Sequence, residues 1–140
     1  MADDALSKKE FETLSNFRYQ LRRFLRFSEE AVHSHGLTHL QYLLLLHHKG
    51  YHDRELATIE ELAEKLQSHH HGAVSLVSRC EKLGLVYRMQ GRTDKREVEV
   101  HLTPEGNRMV ERLARLHRDE LIDSAGMFSV PGVNDLKRAK

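Results

Sequence analysis

The sequence predicts a mainly α-helical chain with a small β-wing: a winged helix-turn-helix with flanking dimerisation helices. Three observations carry this. Between Thr58 and Gly106 the apolar period runs from helical to alternating and back to helical. Helix-opening signatures stand at Ser7, Thr38, Thr58 and Thr103. Cations crowd the stretch from Lys65 to Arg96 instead of spreading along the chain.

The first helix opens at a capping box, Ser7 with Glu10, and Phe11, Leu14, Phe17, Leu21, Phe24, Leu25 and Ala31 recur at helical spacing towards Gly36. A helix of roughly six turns or more is hard to cover with one subunit's core in so small a chain. Residues 1–36 are therefore expected to form an N-terminal dimerisation helix, with Arg18, Arg22, Arg23 and Arg26 on its flank. Thr38 and Gln41 open the next helix, where the apolar run from Tyr42 to Leu46 implies burial on most sides and a central place in the core. The polar stretch from Gly50 to Ala57 ends it.

Residues 37–106 are expected to form the winged helix-turn-helix lobe. Thr58 and Glu61 box the start of a short helix carrying Leu62, Ala63 and Leu66. After a turn at Gln67 and Ser68, Ala73, Val74, Leu76, Val77 and Cys80 stripe a second helix over about 69–83, stopped by Gly84. From 85 to 102 the pattern alternates. Val86, Arg88 and Gln90 interleave with Leu85, Tyr87 and Met89, then Val98, Val100 and Leu102 with Glu97, Glu99 and His101. This predicts a two-stranded ribbon with a polar, exposed tip from Gly91 to Lys95.

Thr103 and Pro104 then restart a helix that Met109, Val110, Leu113, Leu116, Leu121 and Ile122 carry to about Ala125. Residues 104–140 are expected to supply a C-terminal dimerisation helix and a short tail, the whole forming one compact domain.

Composition narrows the function. The chain has 140 residues, 39% hydrophobic, enough for one core. Its amino terminus lacks a charged-then-apolar signal pattern, and no apolar run exceeds that from Tyr42 to Leu46, so a cytoplasmic protein without membrane association is expected. A single cysteine excludes an internal disulfide framework. No glycine-rich phosphate loop, nucleophile elbow, paired catalytic carboxylates or metalloprotease motif appears, which argues against an enzyme.

Charge is nearly balanced, 22 basic against 21 acidic residues, but unevenly placed. From Lys65 to Arg96 seven cations face two anions, whereas Arg54 to Glu64 carries four anions and one cation. Such clustering marks a phosphate-binding surface, and a winged helix-turn-helix lays its second helix in the DNA major groove.

At LAEKL, VSLVSRCEKLGLVYR and GRTDKREVEVHLTPEG, with Asp94-Lys95-Arg96 at the wing, the chain resembles the multiple-antibiotic-resistance regulator (MarR) family of bacterial transcription factors, over roughly residues 37–121. The resemblance implies obligate homodimers on double-stranded, pseudo-palindromic operators. It also implies a wing tip in the minor groove and DNA release by a small anionic or phenolic ligand. The tail departs from the pattern. After Ser124-Ala125-Gly126 come only Phe128, Pro131-Gly132 and a short Asn134 to Ala139 piece, so the dimer clasp is expected to be reduced, or made by Met127, Phe128 and Val130. A dimer is still expected, because two half-sites supply the contacts that one helix-turn-helix lacks.

The candidate DNA-binding residues are Ser68, His69, His70, His71, Val74, Ser75, Ser78 and Arg79 on the recognition helix and Arg88, Arg92, Asp94, Lys95 and Arg96 on the wing. Base reading is expected to lean on His70, His71 and Ser75, since imidazole donates to guanine or holds phosphate when charged. Arg79 and Ser68 are expected on phosphates. Asp94 is out of place on a surface meant only to attract phosphate. By the resemblance it braces a neighbouring arginine into the minor groove; otherwise it is an ordinary turn residue.

Eleven histidines raise the alternative of a metal-responsive regulator, with clusters at His33, His35 and His39, at His47, His48 and His52, and at His69 to His71. None has the paired spacing of a zinc site, so neither metal nor cofactor is assigned. Cys80 lies in an apolar stripe and is read as packing rather than a redox sensor. A docking module without DNA binding is the other alternative. Any effector is expected in a cleft between the first, second and last helices, lined by Phe17, Arg18, His39 and Tyr42.

Overall fold

A computed structural model describes residues 4–51, 54–125, 129–132, 135–136 and 138. In chain order the elements are α1 (Lys8–Ser34), α2 (His39–Lys49), β1 (Leu56–Thr58), α3 (Ile59–Leu66), α4 (His70–Lys82), β2 (Val86–Gln90), β3 (Val98–Leu102) and α5 (Pro104–Asp123).

Each helix start repeats one local solution to the free amides of a first turn. Ser7, Thr38 and Thr58 accept from the backbone N–H three residues on, while Glu10, Gln41 and Glu61 reach back to the cap residue's own N–H. Thr103 accepts from Gly106 N–H ahead of a proline in the first turn of α5.

One core gathers every helix. Leu44 and Leu45 of α2 are fully buried among Leu62 of α3, Ala73, Val77 and Cys80 of α4, Val32 of α1, and Val110 and Leu113 of α5. α2 is thus the central helix, as its apolar run predicts. At the α1–α2–α5 junction His117 is buried, its Nδ1–H donating to Leu113 O (2.6 Å) and its Nε2 accepting from Ser28 Oγ (2.7 Å). Tyr42 stacks on that imidazole at 4.7 Å, with Phe24 and Phe27 edge-on.

Only Ser28 and Val32 of the 27 residues in α1 are buried. Phe11 and Tyr19 on α1, and Leu121 and Ile122 on α5, remain exposed, which leaves an apolar face on the two long flanking helices. Of the tail, Val130 is exposed, whereas Met127, Phe128, Asn134 and Ala139 lie outside the described residues.

The sheet corrects the sequence reading. In place of a two-stranded ribbon there are three antiparallel strands in the order β1-β3-β2, with Ala57 paired to Val100 and Tyr87 to His101. β1 falls in the stretch read as a polar linker, and it is too short for alternation to show. Its Ala57 and Thr58 are buried all the same. The middle strand carries a second departure. Glu99, expected on the polar face, is buried.

The α4–β2–α5 corner is close-packed on backbone. Thr103 N–H donates to Leu85 O (3.1 Å) and Thr103 Oγ1 to Gly84 O (2.6 Å). A Cβ at Gly106 would collide with the Leu85 carbonyl, so no larger residue fits there without moving α5.

Candidate nucleic-acid interface

The turn between α3 and α4 is built on Gln67, whose left-handed backbone (φ 53°) brings Ser68 N–H to Ala63 O (2.9 Å). His69 then precedes α4, and its side chain makes no capping bond. The first-turn amides of α4 therefore keep their donors directed outward, a favourable arrangement for an anion. Ser68 Oγ donates to His69 O (3.0 Å).

Burial divides α4 cleanly. Ala73, Leu76, Val77 and Cys80 face the core, while Ser68, His69, His70, His71, Ser75 and Arg79 are exposed and Val74 and Ser78 half-buried. The candidate reading residues thus share one accessible flank. An open cleft of about 590 Å³ beside it runs from Glu60 and Glu64 to His69 and His70, so its α3 wall is acidic and its α4 wall is not. Cys80 is inaccessible, and burial pushes its thiol up to about 11, which removes the thiolate a redox sensor needs.

The wing tip is a network rather than a loose hairpin. Gly91 N–H donates to Glu97 O (2.9 Å), Glu97 N–H to Asp94 O (3.1 Å) and Gln90 Nε2 to Lys95 O (3.1 Å). Asp94 takes both ends of the Arg96 guanidinium, at 3.1 Å to Nε and 3.1 Å to Nη2. That fork, with the Arg96 backbone N–H, holds the Asp94 carboxyl below its ordinary value.

Arg92 is tied to Glu99, a residue that sequence reasoning missed because strand alternation placed it outward. The Arg92 backbone N–H donates to Glu99 Oε2 (3.2 Å), and Arg92 Nη2 lies 3.5 Å from Oε1. His101 Nε2–H donates to the same Oε1 (3.0 Å), and these bonds, His101's first, lower the Glu99 carboxyl. Arg88 is engaged elsewhere, its Nη2 lying 2.8 Å from Glu81 at the end of α4. Lys95 is exposed.

The four expected effector residues differ in exposure. Tyr42 fills the α1–α2–α5 core against His117, Arg18 is exposed on α1, and Phe17 and His39 are half-buried. The principal clefts among the described residues are lined by other side chains. Among those residues no three His, Cys, Asp or Glu side chains converge in a way that would hold a metal ion, and His52 lies outside them. No helix among them is long and apolar enough to cross a membrane.

A model of the MarR family matches residues 35–97, a span that runs from the end of α1 through the wing tip. Over this segment the chain is similar to the MarR family. Solved MarR-family structures share the fold well beyond it. AbsC, a MarR family transcriptional regulator from Streptomyces coelicolor, superposes with a TM-score of 0.75 at 19% identity, covering 86% of this chain and 81% of that one. A MarR family protein from Bacillus stearothermophilus gives 0.71 at 23%, with 89% and 86% covered. MepR, a transcription regulator of the Staphylococcus aureus multidrug efflux pump MepA, gives 0.70 at 19%, with 81% and 82% covered. No curated protein matches the chain in sequence. The wing and its base are fixed by three local contacts: Asp94 pairs with Arg96, Thr103 caps α5, and Gly106 lets α5 close on Leu85.

Proposed function

We propose that the protein is a homodimeric, sequence-specific DNA-binding transcription regulator, a repressor released from its operator by a small aromatic or anionic ligand. The observation that carries this reading is the split of α4, with one side locked in the core and the other exposed beside a wing tip whose arginines are held on carboxylates. His70, His71 and Ser75 read base edges; Ser68 and Arg79 hold phosphate. Arg92 and Arg96 approach the minor groove, and Arg88, already paired with Glu81, contributes less.

Two relatives lend support by what they bind. A Staphylococcus aureus MepR variant was solved bound to an oligodeoxyribonucleotide. In Bordetella bronchiseptica BpsR, DNA binding is regulated by 6-hydroxynicotinic acid. The dimer is assigned to residues 1–36 and 104–140, where the exposed apolar side chains of α1 and α5 need cover.

A gel shift with titrated salt tests the reading. A regulator shows sequence preference and an affinity that falls steeply as salt rises, because cations on α4 and the wing displace counterions from phosphate. Binding that is absent, or insensitive to salt, would leave a protein-docking role for the same fold.

A further inference from the structure

We propose that Glu99 is the positioning residue of the wing: it fixes Arg92 as a second braced cation, independent of Arg96 on Asp94. The claim rests on the DNA-binding reading above and goes beyond it in naming what sets the direction of the tip.

Glu99 lies on the middle strand, opposite Thr58 of β1 and Met89 of β2, where the backbone is bonded on both edges. Its side chain is only 9% exposed, so the carboxylate needs partners to offset its lost hydration. It has them in Arg92 N–H, Arg92 Nη2 and His101 Nε2. His101 is fixed in turn by stacking on Tyr87 across the ladder, with centroids 5.1 Å apart and planes 13° apart.

The side chain of Arg92 remains 67% exposed while its Nη2 lies against Glu99, so the pair leaves much of the arginine open to solvent. Asp94 and Arg96 form their pair entirely within the tip and share no atom with this one. A buried carboxylate beneath an arginine subtracts positive charge, which a surface serving only general attraction would avoid. What it adds is direction, and direction matters for a guanidinium entering a narrow groove.

The test uses the full chain with Glu99→Gln, Arg92→Ala and the double variant, measured on one DNA duplex at constant salt. The expected result is a several-fold affinity loss for Glu99→Gln, a similar loss for Arg92→Ala, and no further loss in the double variant, since Glu99 acts through Arg92. Unchanged or tighter binding by Glu99→Gln, or losses that add, would overturn the proposal.

The Arg92 side-chain Nε resonance of the free protein separates positioning from folding. It should move in Glu99→Gln while the Arg96 Nε resonance stays in place. Wide movement of both, as in a disordered tip, would make Glu99 merely structural and overturn the claim. Should Glu99→Gln fail to fold, Glu99→Asp keeps the charge but shortens its reach and must show the same loss and the same resonance shift. Wild-type protein that binds no DNA would sink the proposed function instead, leaving the Arg92 resonance to decide whether Glu99 holds that side chain.

Discussion

Asp94 grips Arg96 at both ends of its guanidinium, 3.1 Å to Nε and 3.1 Å to Nη2, while Oδ1 also accepts the Arg96 backbone N–H at 3.0 Å. The arginine is 91% exposed, so the pair is a fixed presentation at the tip of the wing and not part of any core. Exposed ion pairs add little stability, which leaves orientation as the service this one performs.

Asp94→Ala therefore separates charge from geometry. It removes a negative charge from a surface meant for phosphate, yet operator affinity is expected to fall several-fold, because Arg96 loses its direction. Fluorescence anisotropy on labelled duplex measures it, and tighter binding would contradict the brace.

Affinity should also depend on the α4 flank. His70 and His71 are exposed there, and imidazole N–H groups can meet base edges or phosphate. Operator affinity at one pH and salt is expected to fall several-fold in His70→Ala/His71→Ala. Unchanged affinity would remove these histidines from the reading.

The corner beneath the wing gives a stability prediction. Gly106→Ala places a methyl against the Leu85 carbonyl and so forces α5 away from β2. The expected loss is about 1–3 kcal/mol, typical of overpacking, even though alanine favours a helix over glycine. Denaturant unfolding reads it, and a neutral or stabilising result would show that α5 shifts freely.

Acid should weaken the fold through His48. Its ring is buried, with Nε2–H donating to Val100 O (2.6 Å) and Nδ1 without a partner among the described residues. Burial, with smaller help from the charges of His101 and Lys49, pushes its value below the ordinary 6.5 despite the favourable bond to Val100. The unfolded chain then takes up a proton near its ordinary value that the folded chain refuses. Stability is full at neutral pH and declines as pH falls from about 6.5 towards the lowered folded value. Urea melts at pH 7.5, 6.5 and 5.5 should show the decline in wild type and a smaller one in His48→Gln.

Much of the scaffold was legible because its signals are local. The boxes at Ser7, Thr38 and Thr58 span four residues each, and the capped proline start after Thr103 is as compact. The inward stripe of α4 follows from period alone, and with it the outward flank. What escaped depends on pairing between distant residues. β1 is defined by a partner strand more than forty positions later, and three residues cannot display an alternation. Glu99 looks like any polar strand residue until Arg92 and His101 close over it. The stacking of Tyr42 on His117 is likewise invisible in the sequence, since the two rings lie on different helices. Arg88 is one of the clustered cations, and its pairing with Glu81 at the end of α4 shows only in the fold.

On the proposed reading, two copies present their α4 flanks to a twofold DNA site. The decisive measurement is selection of bound sequences from a random duplex pool by the untagged chain. Enrichment of an inverted repeat whose half-sites lie about one helical turn apart is expected, lost when Ser75 and His71 are replaced by alanine. A pool that emerges without any enriched sequence, or with a single asymmetric half-site, would contradict it.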